Sequence, residues 1–162
     1  MKVKLIAIAA LGKKRQIGLK SKLPWCLPDE YQHFKQTIKG QYILIGRKNL
    51  ELHGHDVDGA KTLVLTHNTN YKNESAEVFH KLSEVISFAK NKCIPQIYVI
   101  GGAEIYKLTL PYLSDFLWSE VDYDGEADTF FPEFSYFEWT TVTDETHTGW
   151  RMRHLVKTPE FL

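Results

Sequence analysis

Short apolar runs alternate with stretches of helical periodicity from the start of the chain to about residue 110. The runs are nearly continuous and are bounded by Gly, Pro or Asn, which is typical of strands covered on both faces. Strands are predicted at 5–10, 42–45, 62–65 and 97–100. Helices are predicted at 28–39, 47–52, 81–92 and 103–110. Because strand and helix alternate, we expect a mostly parallel sheet with right-handed crossovers.

The pattern changes after Pro111, where helical periodicity stops. Strands are predicted at 115–123, 139–143 and 151–156, joined by turns without helices. Such consecutive strands favour antiparallel pairing. The expected fold class is therefore α/β, with a mostly parallel central sheet, an antiparallel C-terminal hairpin and four flanking helices. A length of 162 residues fits a single domain spanning 1–162.

The charge balance argues against nucleic acid and membrane as partners. Twenty Lys and Arg residues balance twenty Asp and Glu residues, so no basic surface is expected. No run approaches the ~20 apolar residues of a membrane span. The two cysteines do not form a disulfide framework, and the N-terminus enters a predicted strand without a separate apolar secretion segment. We expect a cytoplasmic location and, because the seven histidines lack ligand spacing, no metal site.

One local charge asymmetry lies in the loop from Gly12 to Lys22. It carries five basic residues and no acid: Lys13, Lys14, Arg15, Lys20 and Lys22. We expect a solvated, flexible loop. Attraction of an anionic ligand is the alternative reading.

Glu30 is a carboxylate on the apolar side of a predicted helix. Pro28 suits the first helical turn, where its missing N–H leaves no bond unmade. Tyr31, Phe34 and Ile38 then form the buried stripe, and Glu30 lies one turn before Phe34. A buried acid has a raised pKa, which suits proton chemistry near neutral pH. The alternative is a first-turn acid favoured only by the helix dipole.

Two predicted strands end in glycine immediately before a helix. The first junction is Gly46-Arg47-Lys48 and the second is Gly101-Gly102-Ala103. Glycine permits close approach of a ligand to the backbone, and helix N-termini favour phosphate. Neither junction matches the dinucleotide fingerprint or the P-loop. Two such junctions at one sheet edge still indicate a long, phosphate-bearing cofactor.

The order and spacing of several motifs resemble the bacterial chromosomal type of the dihydrofolate reductase family. The motifs are Ile17-Gly18, Leu23-Pro24-Trp25, 27–30 through Phe34-Lys35, 45–47, 99–102 through Ile105-Tyr106, and 128–132. Together they cover almost the whole chain. The resemblance implies that fold and NADPH-dependent reduction of 7,8-dihydrofolate to tetrahydrofolate, with hydride going to pterin C6 and a proton to N5.

The resemblance also implies roles for residues at the substrate. Glu30 would bind the pterin 2-amino group and N3 and favour protonation at N5, with Trp25 holding an ordered water and Ser119 hydrogen-bonding the site. Ile6 and Ile100 would offer backbone carbonyls, and Tyr31 and Phe34 would enclose the rings. The full set of substrate residues implied is Ile6, Ile8, Glu30, Tyr31, Phe34, Lys35, His53, Val57, Ile100 and Ser119.

The implied cofactor residues lie in three groups. Backbone groups of Ile8 and Ile17 would meet the nicotinamide amide, and the loop from Gly12 to Trp25 would act as a mobile lid that excludes water. Phosphates would lie at the two helix starts, and Thr66 and His67, with Arg47, would hold the 2′-phosphate. The full set is Ile8, Ile17, Gly18, Leu23, Gly46, Arg47, Lys48, Asn49, Leu65, Thr66, His67, Gly101, Gly102, Ala103, Glu104, Ile105, Tyr106 and Thr129.

Several positions depart from the family pattern. Ala60 stands where bacterial members usually carry an Arg for the glutamate tail of folate, and Glu104 where an Arg often aids NADPH binding. The alternative function is therefore a paralogue that reduces a dihydropterin without that tail. A non-catalytic module that only binds NADPH or folate is a third reading, which retention of Glu30 and Trp25 disfavours. We expect a monomer.

Overall fold

The computed structural model describes residues 2–158. Within them lie ten strands: β1 (Lys4–Leu11), β2 (Gln16–Gly18), β3 (Tyr42–Gly46), β4 (Lys61–Leu65), β5 (Glu77–Phe79), β6 (Gln96–Gly101), β7 (Asp115–Val121), β8 (Thr129–Phe130), β9 (Trp139–His147) and β10 (Trp150–Lys157). The α-helices of this region are α1 (Pro28–Ile38), α2 (Arg47–His53), α3 (Leu82–Asn91) and α4 (Ala103–Thr109).

Eight strands form one sheet in the order β5-β4-β3-β6-β1-β7-β10-β9, and β2 pairs with β8 separately. The first six strands in this order, β5, β4, β3, β6, β1 and β7, run parallel to one another. Strand β10 runs antiparallel to both β7 and β9. The predicted mostly parallel sheet with an antiparallel C-terminal hairpin is confirmed. The carboxyl ends of β4, β3, β6 and β1 thus lie at one edge.

Two hydrophobic clusters cover opposite faces of the sheet, because alternate residues of a strand point to opposite sides. Ala7 of β1 joins Val85 of α3 and Ile105 of α4 in one cluster. Ile8 joins Ile38 of α1 and Val57 in the other. The sheet therefore has α3 and α4 on one face and α1 on the other, with Leu50 of α2 packed against the α1 cluster.

Helix α1 begins as the sequence predicts. Pro28 occupies its first turn, and the amide of Tyr31 bonds the carbonyl of Leu27 at 3.0 Å. The helix ends before Gly40, whose φ of +73° lies in the left-handed region that glycine adopts without strain. Ile38 is fully buried, so the predicted stripe anchors the helix on the sheet.

All predicted strands and helices are present, but the prediction missed three short strands. These are β2, β5 and β8, which contain three, three and two residues. Strand β9 extends to His147, beyond the predicted end at residue 143, and most of its side chains are exposed. Such polar or very short segments lack the apolar pattern on which the prediction depends.

Each helix within residues 2–158 is too short or too polar to traverse a lipid bilayer.

Candidate active site

Glu30 is buried in the first turn of α1, with only 6% of its surface exposed. Burial raises the pKa of its carboxyl above the usual 4.5, and hydrogen bonding by the Ser119 hydroxyl opposes part of that rise. Ser119 is itself buried on β7. The arrangement is a buried carboxyl beside one hydroxyl, and burial is the larger of the two influences on its pKa. Glu30 is a first-turn acid, as both interpretations require, and its burial favours the interpretation as a buried acid; Asp29, beside it, is exposed.

Trp25 lies in the loop that leads into α1. Its indole Nε1 is buried and has no hydrogen-bond partner among the protein atoms of residues 2–158. Its ring packs against Tyr123, with centroids 5.5 Å apart. A buried indole N–H is normally hydrogen-bonded, so this donor is available to a water molecule or a ligand.

The side wall of the site is formed by α1 and the turn at Gly54–Val57. Phe34 and Val57 pack into the same cluster, and the Lys35 ammonium lies 5.5 Å from the centre of the Tyr31 ring. The Tyr31 hydroxyl donates a 2.6 Å hydrogen bond to Asp56. This bond links α1 to the turn within the side wall.

Asp56 is a residue of this wall that sequence reasoning missed. The imidazole Nδ1 of His53 lies 3.6 Å from its carboxylate, and Nε2 of His55 lies 3.2 Å away. The signal in the sequence was the pair of acids Asp56 and Asp58, which flank Val57 in a segment that otherwise has the composition of a turn. Only the fold places Asp56 opposite Tyr31.

The floor of the site comes from β1 and β6. Ile6, Ile8 and Ile100 are buried, and Ile8 and Ile100 belong to the α1-side cluster. The Tyr106 hydroxyl donates a 2.8 Å hydrogen bond to the carbonyl of Ile8. Burial raises the pKa of Tyr106, and the nearby charge of Glu30 raises it further. Tyr106 therefore stays protonated as a donor beneath the site.

The junction between β6 and α4 is shaped for glycine. Gly101 and Gly102 are joined by a cis peptide bond, and Gly101 has φ of +105°. A Cβ at Gly101 would lie 2.8 Å from Cε2 of Tyr106, so no larger residue fits. A Cβ at Gly102 would meet no atom within 4 Å, so open space lies beside this residue.

The strand register brings the predicted cofactor segments to one edge. Ile45 pairs with Gly101, and Gly46 pairs with Leu65. The helix starts after β3 and β6 and the loop after β4 are therefore neighbours. The N-cap residues of α2 and α4 are Gly46 and Gly102, so no side chain caps either helix. The first-turn amides therefore remain available to phosphate oxygens.

The charged side chains at this edge have mixed character. Arg47 is ion-paired with Glu51 at 3.2 Å, one turn along α2. Lys48 and His67 are exposed, and Asn49 and Ala103 are half-buried. Glu104 is an exposed acid in the first turn of α4. This edge therefore combines predicted phosphate ligands with two exposed carboxylates, of which Glu51 is paired with Arg47.

His80 supports the loop after β4 and was not predicted. Its Nδ1 lies 2.8 Å from the carbonyl oxygen of Thr66. Because a carbonyl only accepts, Nδ1 carries the proton in this contact. Leu65, which comes directly before Thr66 in the chain, is buried in the core.

The charges of Lys13 and Lys14 are solvent-exposed, as expected, but three basic residues of the loop also have acidic partners elsewhere in the chain. Lys13 pairs with Asp122 at 2.9 Å, and Lys14 pairs with Asp124 at 3.6 Å. Arg15 donates to the carbonyl of Phe131 at 2.6 Å and contacts Glu133 at 3.3 Å. These partners lie more than 100 residues later in the chain, so the loop by itself shows no acid. These charges anchor the loop.

The remaining predicted lid residues surround this anchor. Ile17 packs against the larger cluster and Gly18 is buried. Thr129 in β8 lies close to Gly18: a Cβ added at Gly18 would lie 3.4 Å from the Cβ of Thr129. Leu23 is 47% exposed. Its side chain is thus the least enclosed of the predicted site residues in the lid.

Within residues 2–158, no group of three or more His, Cys, Asp or Glu side chains is placed to hold a metal ion. Cys26 and Cys93 are both exposed free thiols.

Comparison with known proteins decides the family. The family model for dihydrofolate reductase matches residues 4–155. The chain belongs to the dihydrofolate reductase family. Dihydrofolate reductase type A13 of Escherichia coli is 33% identical over 147 residues, which cover 91% of this chain and 88% of that protein.

Other relatives agree. Dihydrofolate reductase of Staphylococcus haemolyticus is 30% identical over 143 residues, 88% of this chain and 85% of the relative. That of Bacillus subtilis is 30% identical over 141 residues, 87% and 83% respectively. The structure of dihydrofolate reductase from Enterococcus faecalis, complexed with NADP(H) and RAB-propyl, aligns with a TM-score of 0.85 and 26% identity, covering 96% of this chain and 97% of that one.

As a family member, the protein is an oxidoreductase that uses NADPH to reduce 7,8-dihydrofolate to 5,6,7,8-tetrahydrofolate. The predictions of family, fold, activity and cofactor are confirmed. The carboxyl edge of the sheet fits NADPH chemically: Gly102 has open space beside it, and Arg47, Lys48 and Thr66 provide cationic and hydroxyl donors for phosphate.

Proposed function

We propose that Glu30 supplies the proton for dihydrofolate reduction. The observation that supports this proposal is its burial, which raises the pKa of the carboxyl. A carboxyl that keeps its proton at higher pH matches the general acid chemistry required at neutral pH. Bound NADPH supplies the hydride that adds to pterin C6, while the proton goes to N5.

Trp25 and Ser119 act with Glu30 in this proposal. The unpartnered Nε1 of Trp25 holds a water molecule that passes the proton towards N5. The Ser119 hydroxyl orients the Glu30 carboxyl and limits the rise of its pKa. Glu30 also binds the pterin 2-amino group and N3 through its two oxygens.

The substrate lies between the floor and the side wall of the cleft. Carbonyls of Ile6 and Ile100 accept hydrogen bonds from the pterin, and Ile8 packs beneath it. Tyr31 and Phe34 enclose the rings, opposite His53 and Val57, and Lys35 lies at the outer end. The burial of Ile6, Ile8, Ile100 and Val57 supports an apolar pocket that strengthens the interaction with Glu30.

Residues at the carboxyl edge of the sheet would hold the cofactor. The start of α4 would bind its pyrophosphate, and the loop after β4, together with Arg47, would bind its 2′-phosphate. The adjacency of Gly46, Leu65 and Gly101 supports this path. The residues proposed to hold NADPH are Ile8, Ile17, Gly18, Leu23, Gly46, Arg47, Lys48, Asn49, Leu65, Thr66, His67, Gly101, Gly102, Ala103, Glu104, Ile105, Tyr106 and Thr129.

The loop from Gly12 to Trp25 excludes water from the reacting atoms. Contacts of residues 13–15 with the segment 122–133 support a defined position for the start of this loop. Exclusion of water strengthens electrostatic interactions inside the site.

We also propose that residues 1–162 form one domain that acts as a monomer in the cytoplasm. Two exposed free thiols suit a reducing compartment. Size-exclusion chromatography with light scattering tests the oligomeric state: a mass near 18.8 kDa is expected, and a dimer contradicts it.

The role of Glu30 is tested with Glu30→Gln, in single-turnover experiments that follow NADPH absorbance with dihydrofolate present. We expect the hydride-transfer rate at pH 7 to fall by about 10²- to 10⁴-fold, the usual contribution of a general acid. The loss should shrink at pH 5, where solvent protonates the substrate. Asp29→Asn, an exposed neighbour, is the matched control. Normal turnover of Glu30→Gln at pH 7 would exclude Glu30 as the proton source.

A further inference from the structure

Asp56 lies in the side wall of the proposed substrate site, near the part of the substrate that carries carboxylates. Dihydrofolate ends in a glutamate with two carboxylates. At the side wall, the carboxylate of Asp56 accepts a 2.6 Å hydrogen bond from the Tyr31 hydroxyl, and its side chain is only 25% exposed. An anionic group of the substrate passing this wall meets a fixed negative charge with little solvent around it.

Tyr31 keeps the Asp56 carboxylate in place. The hydrogen bond to Asp56 is the main reason that the pKa of Tyr31 rises to about 12. The phenol is therefore protonated at every physiological pH and always donates. The His53 and His55 rings lie within 3.6 and 3.2 Å of the same carboxylate. These contacts hold Asp56 on the α1 side of its turn.

The surrounding charges do not reverse this field. Asp58, two residues later, is exposed and adds to the negative potential at Tyr31. Ala60 is partly buried against the α1-side cluster and contributes no charge. Lys61, the next residue, places its ammonium over Tyr42, 5.0 Å from the ring centre. Two cations lie near this wall: Lys35, beside Tyr31, and Lys39, whose Cγ would lie 4.0 Å from a Cβ at Gly59.

We propose that Asp56 is a specificity-determining residue, which disfavours the anionic tail of dihydrofolate and lets dihydropterins with a neutral or cationic substituent be reduced comparably well. This inference rests on the proposed placement of the substrate between Tyr31 and Val57. Recognition then depends mainly on the pterin ring and Glu30. The glutamate tail weakens binding slightly, since repulsion from Asp56 outweighs its attraction to Lys35.

The test compares kcat/KM for dihydrofolate and for 6-methyl-7,8-dihydropterin, which has no charged tail. For the unaltered protein we expect the two values to lie within about tenfold, or 1.4 kcal/mol. Asp56→Asn keeps the shape and the acceptor for Tyr31 but removes the charge. It should raise the dihydrofolate-to-dihydropterin ratio by about 3- to 10-fold, the effect of a partly screened charge.

Asp58→Asn is the matched control, because it removes an equal charge from an exposed position two residues away. Its ratio should stay within about twofold of the unaltered value, since solvent and salt screen it. An equal rise in both variants would show a general field effect and overturn the assignment to Asp56. An unchanged ratio in Asp56→Asn would overturn it as well.

A second measurement uses the unaltered protein, so it does not depend on folding of a variant. Raising KCl from 50 to 500 mM shortens the Debye length from about 14 to about 4 Å. We expect KM for dihydrofolate to fall and KM for 6-methyl-7,8-dihydropterin to stay constant. A rise in the KM for dihydrofolate would mean net attraction of the tail and would contradict the inference. Lack of turnover with both substrates would instead contradict the proposed site itself.

Discussion

The hydroxyl of Tyr106 on α4 donates a 2.8 Å hydrogen bond to the backbone carbonyl of Ile8 on β1. Both groups are buried, and the bond spans 98 positions of sequence. It fixes α4 to the strand that forms the floor of the site. Because Tyr106 also fills the space beside Gly101, one side chain links β1 to the junction between β6 and α4.

Tyr106→Phe should therefore destabilise the fold without changing its shape. Loss of the donor leaves the Ile8 carbonyl unpaired in the core, which costs about 1–3 kcal/mol. Urea denaturation followed by circular dichroism measures this difference. Tyr112→Phe, at a tyrosine that is 66% exposed, should change the free energy of unfolding by less than about 0.5 kcal/mol. Equal effects of the two variants would contradict the importance of the bond.

Glu30→Gln should make the fold more stable at neutral pH. Burial raises the pKa of Glu30 above 4.5, so the folded state binds the proton more tightly than the unfolded state. Well below pH 4.5, Glu30 is protonated in both the folded and the unfolded state, so its burial carries no charge and does not lower the free energy of unfolding. As pH rises through the raised pKa, the folded chain acquires a buried charge, and its stability falls relative to Gln by about 1.4 kcal/mol per unit of pKa shift.

Thermal unfolding from pH 4 to 8 measures this effect. The melting temperature of Glu30→Gln should exceed that of the unaltered protein at pH 8, and the gap should close towards pH 4. Glu74→Gln, at an exposed loop position, should show no such trend. A gap that widens in acid would mean that the pKa of Glu30 is lowered rather than raised.

Arg15→Ala should loosen the lid. Arg15 bonds the Phe131 carbonyl at 2.6 Å and contacts Glu133, so its loss removes a link between the lid and the segment 122–133. We expect hydride transfer to slow by about 3- to 10-fold as the closed lid becomes less populated. Stopped-flow single-turnover kinetics measures the rate. Lys22→Ala, at an exposed lid position, should keep the original rate; an equal loss there would contradict a specific role for Arg15.

The sequence was sufficient for the elements whose signal is local. The apolar runs of β1, β3, β4 and β6 and the Pro28 helix start were predicted because burial on both faces and first-turn chemistry leave a pattern in adjacent residues. Glu30 was found for the same reason, since its helical spacing from Phe34 conflicts with its charge. The resemblance then supplied the family.

Contacts between distant segments carried no such signal. Asp56 reads as a turn acid until the fold places it 2.6 Å from Tyr31. The partners of Lys13 and Arg15 lie in the segment 122–133, so the loop alone looked like free charge. Strands β2 and β8 are held by each other rather than by an apolar pattern. These features depend on tertiary packing, which local propensity does not encode.

Glu104→Gln should strengthen NADPH binding. Glu104 is an exposed acid in the first turn of α4, where the helix dipole stabilises the carboxylate by about 0.3–1 kcal/mol but where cofactor phosphate would meet a like charge. Removing that charge should lower the Kd for NADPH by about 2- to 5-fold, as expected for a screened surface interaction. Isothermal titration calorimetry at 50 and 500 mM KCl measures it, and the gain should shrink at high salt. Glu138→Gln, an exposed acid beside the start of β9 at the opposite edge of the sheet, should leave the Kd unchanged. A gain that persists at 500 mM KCl would point to a steric cause instead of repulsion.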